Sequence, residues 1–232
     1  MKKWTKTALL TGCACCIAGA VLTFSGWASG GKAYAETYDL NAMSGSAKIK
    51  LDDFDELQAD LTIGDLNILP SGDDSCYLAW RIPSKKGETA VEYRVRDGVL
   101  SIEETSAVSD TIYINIDFTE EILSGGKQSE TGVILYVPEK KVLKKIEVTM
   151  GFGDVQMNGI QAESGRLQNA DGDITLFGCD MQNIKCKADY GDVELKSGTW
   201  ENGSITLEDG DAKIQNTKLS GDVSVENSYG DI

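Results

Sequence analysis

Aspartates that directly follow a glycine are the side chains whose type and spacing first point to chemistry. Gly-Asp occurs at Gly64, Gly72, Gly153, Gly172, Gly191, Gly210, Gly221 and Gly230, far more often than 25 glycines scattered through 232 residues would produce. Gly153-Asp154, Gly172-Asp173, Gly191-Asp192 and Gly210-Asp211 follow one another at steps of 19 residues, and Gly230-Asp231 comes 20 further on. Stacked, these aspartates would form a column of carboxylates able to attract a divalent cation. At the strand spacing of roughly 4.8 Å, however, two carboxylates in water repel by only about 0.9 kcal/mol. Exposed turns tolerate that without a metal, and the Gly-Gly-x-Gly-x-Asp calcium pattern is absent. The expectation is therefore a structural turn aspartate, with no metal and no cofactor. Phe152, Tyr190 and Tyr229 each directly precede a Gly-Asp. Coil stacking would set them in a row along one rim, either closing the edge of the core or contacting glycan rings or a partner protein.

The chain has no His. That removes Ser-His-Asp triads, Cys-His dyads and His-ligated zinc or iron. Cys13, Cys15 and Cys16 lie near the N-terminus, and Cys76, Cys179 and Cys186 lie further on. Three is odd and too sparse for a disulfide scaffold. A Cys179–Cys186 bridge is conceivable, but Ile184-Lys185-Cys186-Lys187-Ala188 alternates and sets Cys186 on the apolar face. With no His to activate them, these thiols are not expected to be nucleophiles. Net charge is −15, and from Glu36 onward the balance is 18 basic residues against 37 acidic. Such a body repels phosphate backbones, so no nucleic acid is expected as partner. Polysaccharide-cleaving β-helices work with clustered carboxylates or basic residues on a groove. No pair is singled out in this sequence, so an enzyme is not expected.

The elements that must position these residues read as short strands. Val155-Gln156-Met157, Ile174-Thr175-Leu176, Val193-Glu194-Leu195, Ala212-Lys213-Ile214 and Val223-Ser224-Val225 follow the Gly-Asp pairs and alternate apolar with polar residues. That is period two, a half-buried strand. A second strand lies about twelve residues after each glycine: Arg166–Gln168, Lys185–Lys187 and Ile205–Leu207. So short a strand cannot bury its apolar face alone. Stacking does it, each inward side chain lying on its counterpart one coil below. The expected fold is all-β: a narrow, two-sided parallel β-solenoid of 19-residue coils with two strands and two turns each. Glycine suits the entry turn, and the aspartate would cap nearby backbone N–H groups.

Residues 47–150 read as a less regular β part of the same solenoid, wider first coils that double as its N-terminal cap. Strands are expected at Ile49–Leu51, Leu61–Ile63, Leu66–Leu69, Val91–Val95, Val99–Ile102, Ile112–Ile116, Val133–Val137 and Ile146–Val148, with loops at Pro70–Ser75, Pro83–Gly87 and Ser124–Gly132. Residues 151–232 are the regular repeat, and 36–46 a tether. Residues 1–35 read as a targeting leader. Three lysines within Met1–Lys6 precede the uncharged run Ala8–Ala28, whose 21 residues would span about 32 Å as a helix. The charge asymmetry directs the rest of the chain outward. The leader is either a retained anchor or a signal peptide cut after Ala33-Tyr34-Ala35, and Leu10–Cys13 also resembles a lipobox. Each option places the body outside the cytoplasm. Tyr229-Gly230-Asp231-Ile232 opens another repeat, which reads as the start of further coils or as an open edge available for self-association.

Taken in order, these features resemble a known family. A charged start leads into one apolar segment, then Ile63-Gly64-Asp65-Leu66-Asn67-Ile68-Leu69-Pro70, a strand ending Tyr136-Val137-Pro138, Leu143-x-x-Ile146-x-Val148, and the ladder of Gly-Asp-[Val/Ile]-x-[Leu/Met]. Together they are similar to the bacterial adhesin-candidate family of β-strand-repeat proteins of unknown function, over roughly 46–232. The resemblance implies a Gram-positive cell envelope and a non-enzymatic surface or interaction protein. It brings no catalytic residues. The expected partners are the membrane, through the N-terminal segment, and an unidentified surface protein or glycan. The alternatives are an envelope-stress accessory or a polymerising scaffold and, less favoured, a polysaccharide-acting β-helix enzyme.

Overall fold

The computed structural model describes residues 15–16, 18–26, 38–39, 48–82, 84–85, 89–105 and 132–232. Residues 18–26 are helical. No helix among the described residues is long and apolar enough to cross a membrane, and ten of the 21 residues of the Ala8–Ala28 run lie outside them. The expected Ile112–Ile116 strand and nearly all of the Ser124–Gly132 loop also lie outside them.

From residue 48 onward the described regular structure is all β, in two large sheets whose strands are mostly parallel, with Ser84–Lys85 set apart in an antiparallel pair with Tyr38–Asp39. The smaller sheet runs Ile49–Lys50, Tyr77–Arg81, Gly132–Val137, Asp65–Pro70, Val155–Asn158, Ile174–Phe177, Val193–Lys196 and Ala212–Gln215. The larger runs Val91–Arg96, Val99–Glu104, Glu56–Ile63, Lys145–Phe152 and Gly165–Asp171, then Asp180–Tyr190, Thr199–Asp209 and Lys218–Tyr229. Strand pairs are in register at a shift of 19 residues: Val155 lies beside Ile174, Ile174 beside Val193, and Val193 beside Ala212. Opposite them Val148, Leu167, Cys186 and Ile205 form the facing column. All eight of these side chains are buried. Each apolar residue therefore finds its partners on the coils above and below, which is why strands of four residues hold.

Each coil turns at three lines rather than the two expected. Besides the Gly-Asp corner there is a second, at Gly159, Gly178, Ser197 and Asn216, and a third at Asn183, Asn202 and Gly221, all with positive φ. Asn can occupy that region without glycine, so neither line shows as a glycine repeat. The third line creases the larger sheet, so that Asp180–Tyr190 covers two sides of one coil. Gly221-Asp222, which the dipeptide motif groups with the other Gly-Asp pairs, sits on this crease. Val223–Val225 accordingly pairs with Gly203–Ile205 in the larger sheet and does not extend the smaller one. A register shift between Glu201 and Gly203 sets two residues, Gly221 and Asp222, against Asn202. That bulge accounts for the 20-residue step from Gly210 to Gly230.

The coils are not stacked in chain order. Glu56–Pro70 is the rung directly beneath Lys145–Asn158, with Leu61 beside Met150 and Leu66 beside Val155. Val99–Glu104 and Gly132–Val137 lie beneath that rung, although they come later in the chain. Antiparallel strands finish this end: Val91–Arg96, turned at Asp97-Gly98, and Tyr77–Arg81, which the alternation alone does not reveal. Consecutive positive φ at Asp97 and Gly98 is the two-residue hairpin geometry that fits strand twist.

Candidate functional site

The Gly-Asp corner is built by contact between coils. Gly172 has φ +132°, and a Cβ there would lie 2.2 Å from the Gly153 carbonyl oxygen, so the backbones pass too closely for any side chain. The next residue then takes over. The backbone N–H of Asp173 donates to Oδ1 of Asp154 at 2.9 Å, Asp192 to Asp173 at 2.8 Å, Asp211 to Asp192 at 2.9 Å and Asp231 to Asp211 at 3.0 Å. Asp154 donates in the same way to Asp65 at 2.9 Å, so the ladder starts at Gly64-Asp65, 89 residues earlier. Each carboxylate thus caps the coil that follows it through a charge-assisted hydrogen bond. Asn169 and Asn227 add Nδ2 donors to the Gly153 and Gly210 carbonyls, at 2.9 and 2.8 Å. Among the described residues no group of three or more Cys, Asp or Glu is placed to hold a metal.

Phe152, Tyr190 and Tyr229 do share one column, immediately before the corner. They are not neighbours in it. Phe152 pairs with Asp171, Asp171 with Tyr190, Tyr190 with Asp209, and Asp209 with Tyr229. Aromatic and acidic side chains alternate, and the aromatics stand two rungs from one another, about 9.6 Å at the usual strand spacing. The three aromatics thus stand in one row along the rim, with Asp171 and Asp209 between them. Nor do the rings close the core: Phe152 is 58% exposed, Tyr190 61% and Tyr229 75%. Asp171 and Asp209 are exposed as well, and among the described residues neither has an ion-pair or side-chain hydrogen-bond partner. Lys187 is engaged with Asp189 and Glu208, and Lys213 with Asp192 and Asp211. Reading only aromatic residues misses Asp171 and Asp209. The signal was available, since both stand directly before a Gly-Asp.

Residues 79–232 match the family described as Toastrack DUF4097. The chain belongs to that family. Three solved structures are similar to the Toastrack chain. A candidate cell adhesion protein from Clostridium sporogenes is 12% identical, covering 81% of this chain and 99% of that one with a TM-score of 0.41. A candidate adhesin from Bacteroides fragilis is 14% identical, covering 78% and 95% with a TM-score of 0.33. A candidate lipid binding protein from Parabacteroides distasonis is 14% identical, covering 81% and 96% with a TM-score of 0.34. No curated protein matches the chain.

The Toastrack core buries its thiols. Cys179 and Cys186 are free and buried, so the conceivable bridge between them is not formed. Burial pushes the Cys179 thiol up to about 11 and the Cys186 thiol up to about 12. Burial raises Cys76 as well. Among the described residues Glu104 is the acid whose carboxyl burial pushes up. Its Oε2 accepts the backbone N–H groups of Thr62 and Ile63, both at 2.7 Å, and these bonds pull less strongly in the opposite direction. It stands where the Val99–Glu104 strand ends and finishes the ladder for the strand above.

Proposed function

We propose that this chain is a non-enzymatic, extracytoplasmic interaction module. Held at the bacterial surface by its N-terminal segment or released from it, the β-solenoid presents its rim to a surface protein or glycan. The observation that carries the reading is the column Phe152–Asp171–Tyr190–Asp209–Tyr229. Its rings and carboxylates face solvent, yet each is fixed by a backbone ladder that glycine and aspartate lock from coil to coil. Exposed aromatics set on a rigid frame lose little entropy on binding. The elevated thiol pKa values support a role without covalent chemistry.

The test is retention of the full chain on isolated cell envelopes. Replacing Phe152, Tyr190 and Tyr229 together by Ser is expected to abolish retention while leaving the melting temperature in place, since none of the three packs into the core. Full retention by that variant would discard the rim as the contact surface. Location is read separately, from a fluorescent or enzymatic reporter that works only outside the cytoplasm, fused after Ile232.

A further inference from the structure

We propose that the rim is a track for an extended β-1,4-linked amino-sugar glycan carrying free amino groups. The proposal rests on the rim being the contact surface, and names its ligand from spacing and charge.

Spacing selects a glycan over a β-extended peptide. Rungs repeat about every 4.8 Å, and an extended peptide advances about 6.7 Å between side chains on the same face. A β-extended peptide laid along the column would leave register after its first contact. An extended β-1,4-linked chain advances close to one rung per sugar, and successive sugars are turned over. One face therefore recurs with each disaccharide, which is two rungs. The column has the same period: an aromatic ring at Phe152, Tyr190 and Tyr229, and a carboxylate on each rung between. Every second sugar would lay its apolar face on a ring, and the sugars between would turn polar groups to Asp171 and Asp209.

Charge selects among glycans. Asp171 and Asp209 lack a cationic partner among the described residues, in a chain of net charge −15. An ammonium group on the sugar supplies the missing countercharge and a charge-assisted hydrogen bond. The aromatic faces favour the same cation. Uronic acids and phosphate-bearing polymers meet repulsion in this field.

The experiment is isothermal titration of the full chain with a glucosamine hexasaccharide, an N-acetylglucosamine hexasaccharide and hexalysine. The glucosamine hexamer is expected to bind at least about tenfold more tightly than either control, weakening as salt rises. Tyr190→Ala, and separately the pair Asp171→Asn with Asp209→Asn, are each expected to weaken it about tenfold or more at unchanged melting temperature. Absence of binding overturns the proposal. Equal binding of hexalysine with no effect of Tyr190→Ala overturns it as plain polycation adsorption, and equal binding of the acetylated hexamer overturns the role of the amino group. The envelope test stands apart. If the triple Ser variant loses retention while the glucosamine hexamer fails to bind, the rim is the contact surface and its ligand is something else. If that variant keeps retention, the rim reading itself has failed.

Discussion

Gly191 shows what a single corner residue is worth. Its φ is +134°, and a Cβ would lie 2.2 Å from the Gly172 carbonyl oxygen. Gly191→Ala must both adopt a strained backbone and push neighbouring coils away from each other, so it is expected to cost about 3 kcal/mol in a denaturant titration. Gly72 also has positive φ, +78°, but nothing lies within 4 Å of its Cβ position, and Gly72→Ala should cost only about 1 kcal/mol. Similar losses at both sites would mean that close approach is not what fixes the corner. Glu104 makes a second residue-scale case. Glu104→Ala orphans the N–H groups of Thr62 and Ile63 and should cost about 2 kcal/mol, whereas Glu104→Gln keeps an acceptor. Because burial raises its carboxyl above the usual 4.5, the contribution of Glu104 is fullest below that pH and is lost as pH rises through the raised value. The stability of Glu104→Gln relative to the native chain should therefore improve from pH 4.5 to pH 7 in paired urea titrations. Asp192 works the opposite way. Lys213 holds its carboxyl below 3.8, so its contribution is present above 3.8 and lost as pH falls through the lowered value, outside the range compared.

At the scale of the element, register matters more than length. The coil that ends at Gly230 carries one extra residue, and the bulge at Gly221-Asp222 absorbs it at an exposed crease. Deleting Asp222 restores a 19-residue coil and should change stability by less than about 1 kcal/mol. Deleting Thr206 is the same change in length, but it falls between the buried Ile205 and Leu207 and turns every later side chain of that strand to the wrong face. That variant is expected to lose its cooperative melting transition by circular dichroism. If the two deletions proved equal, facing would not be what sets the coil. The strands themselves were legible from alternation because inward and outward positions differ in polarity. Tyr77–Arg81 escaped because it lies near the end of the sheet, covered only by the two-residue strand Ile49–Lys50, where Trp80 and Ala79 are both half-buried and the alternation is blurred.

For the whole molecule, the decisive feature is the rung laid out of chain order. The family match begins at residue 79, yet Glu56–Pro70 lies between two rungs that fall inside the match. It buries Leu57, Ala59, Leu61, Leu66 and Ile68. At about 1.5–3 kcal/mol for each of the larger side chains, its loss removes roughly 10 kcal/mol, comparable to the entire stability of a typical domain. Residues 79–232 alone should therefore fail to show a cooperative thermal transition, whereas residues 48–232 should melt as one unit. A folded 79–232 segment would mean that the rungs can close over the gap.

The sequence by itself determined the local repeat. Alternation set which side chains face inward, the 19-residue step set which of them stack, and glycine followed by aspartate marked one corner, because each of these is written in residues close together. Only the tertiary structure decided the rest. That Gly64-Asp65 belongs to the same ladder, that Asn and Ser share the other two corners with Gly, and that Asp171 and Asp209 divide the aromatic column all depend on which rung lies on which. Strand pairing carries no label of chain distance, so a rung 89 residues away fits as well as one 19 away once its inward side chains and its corner match.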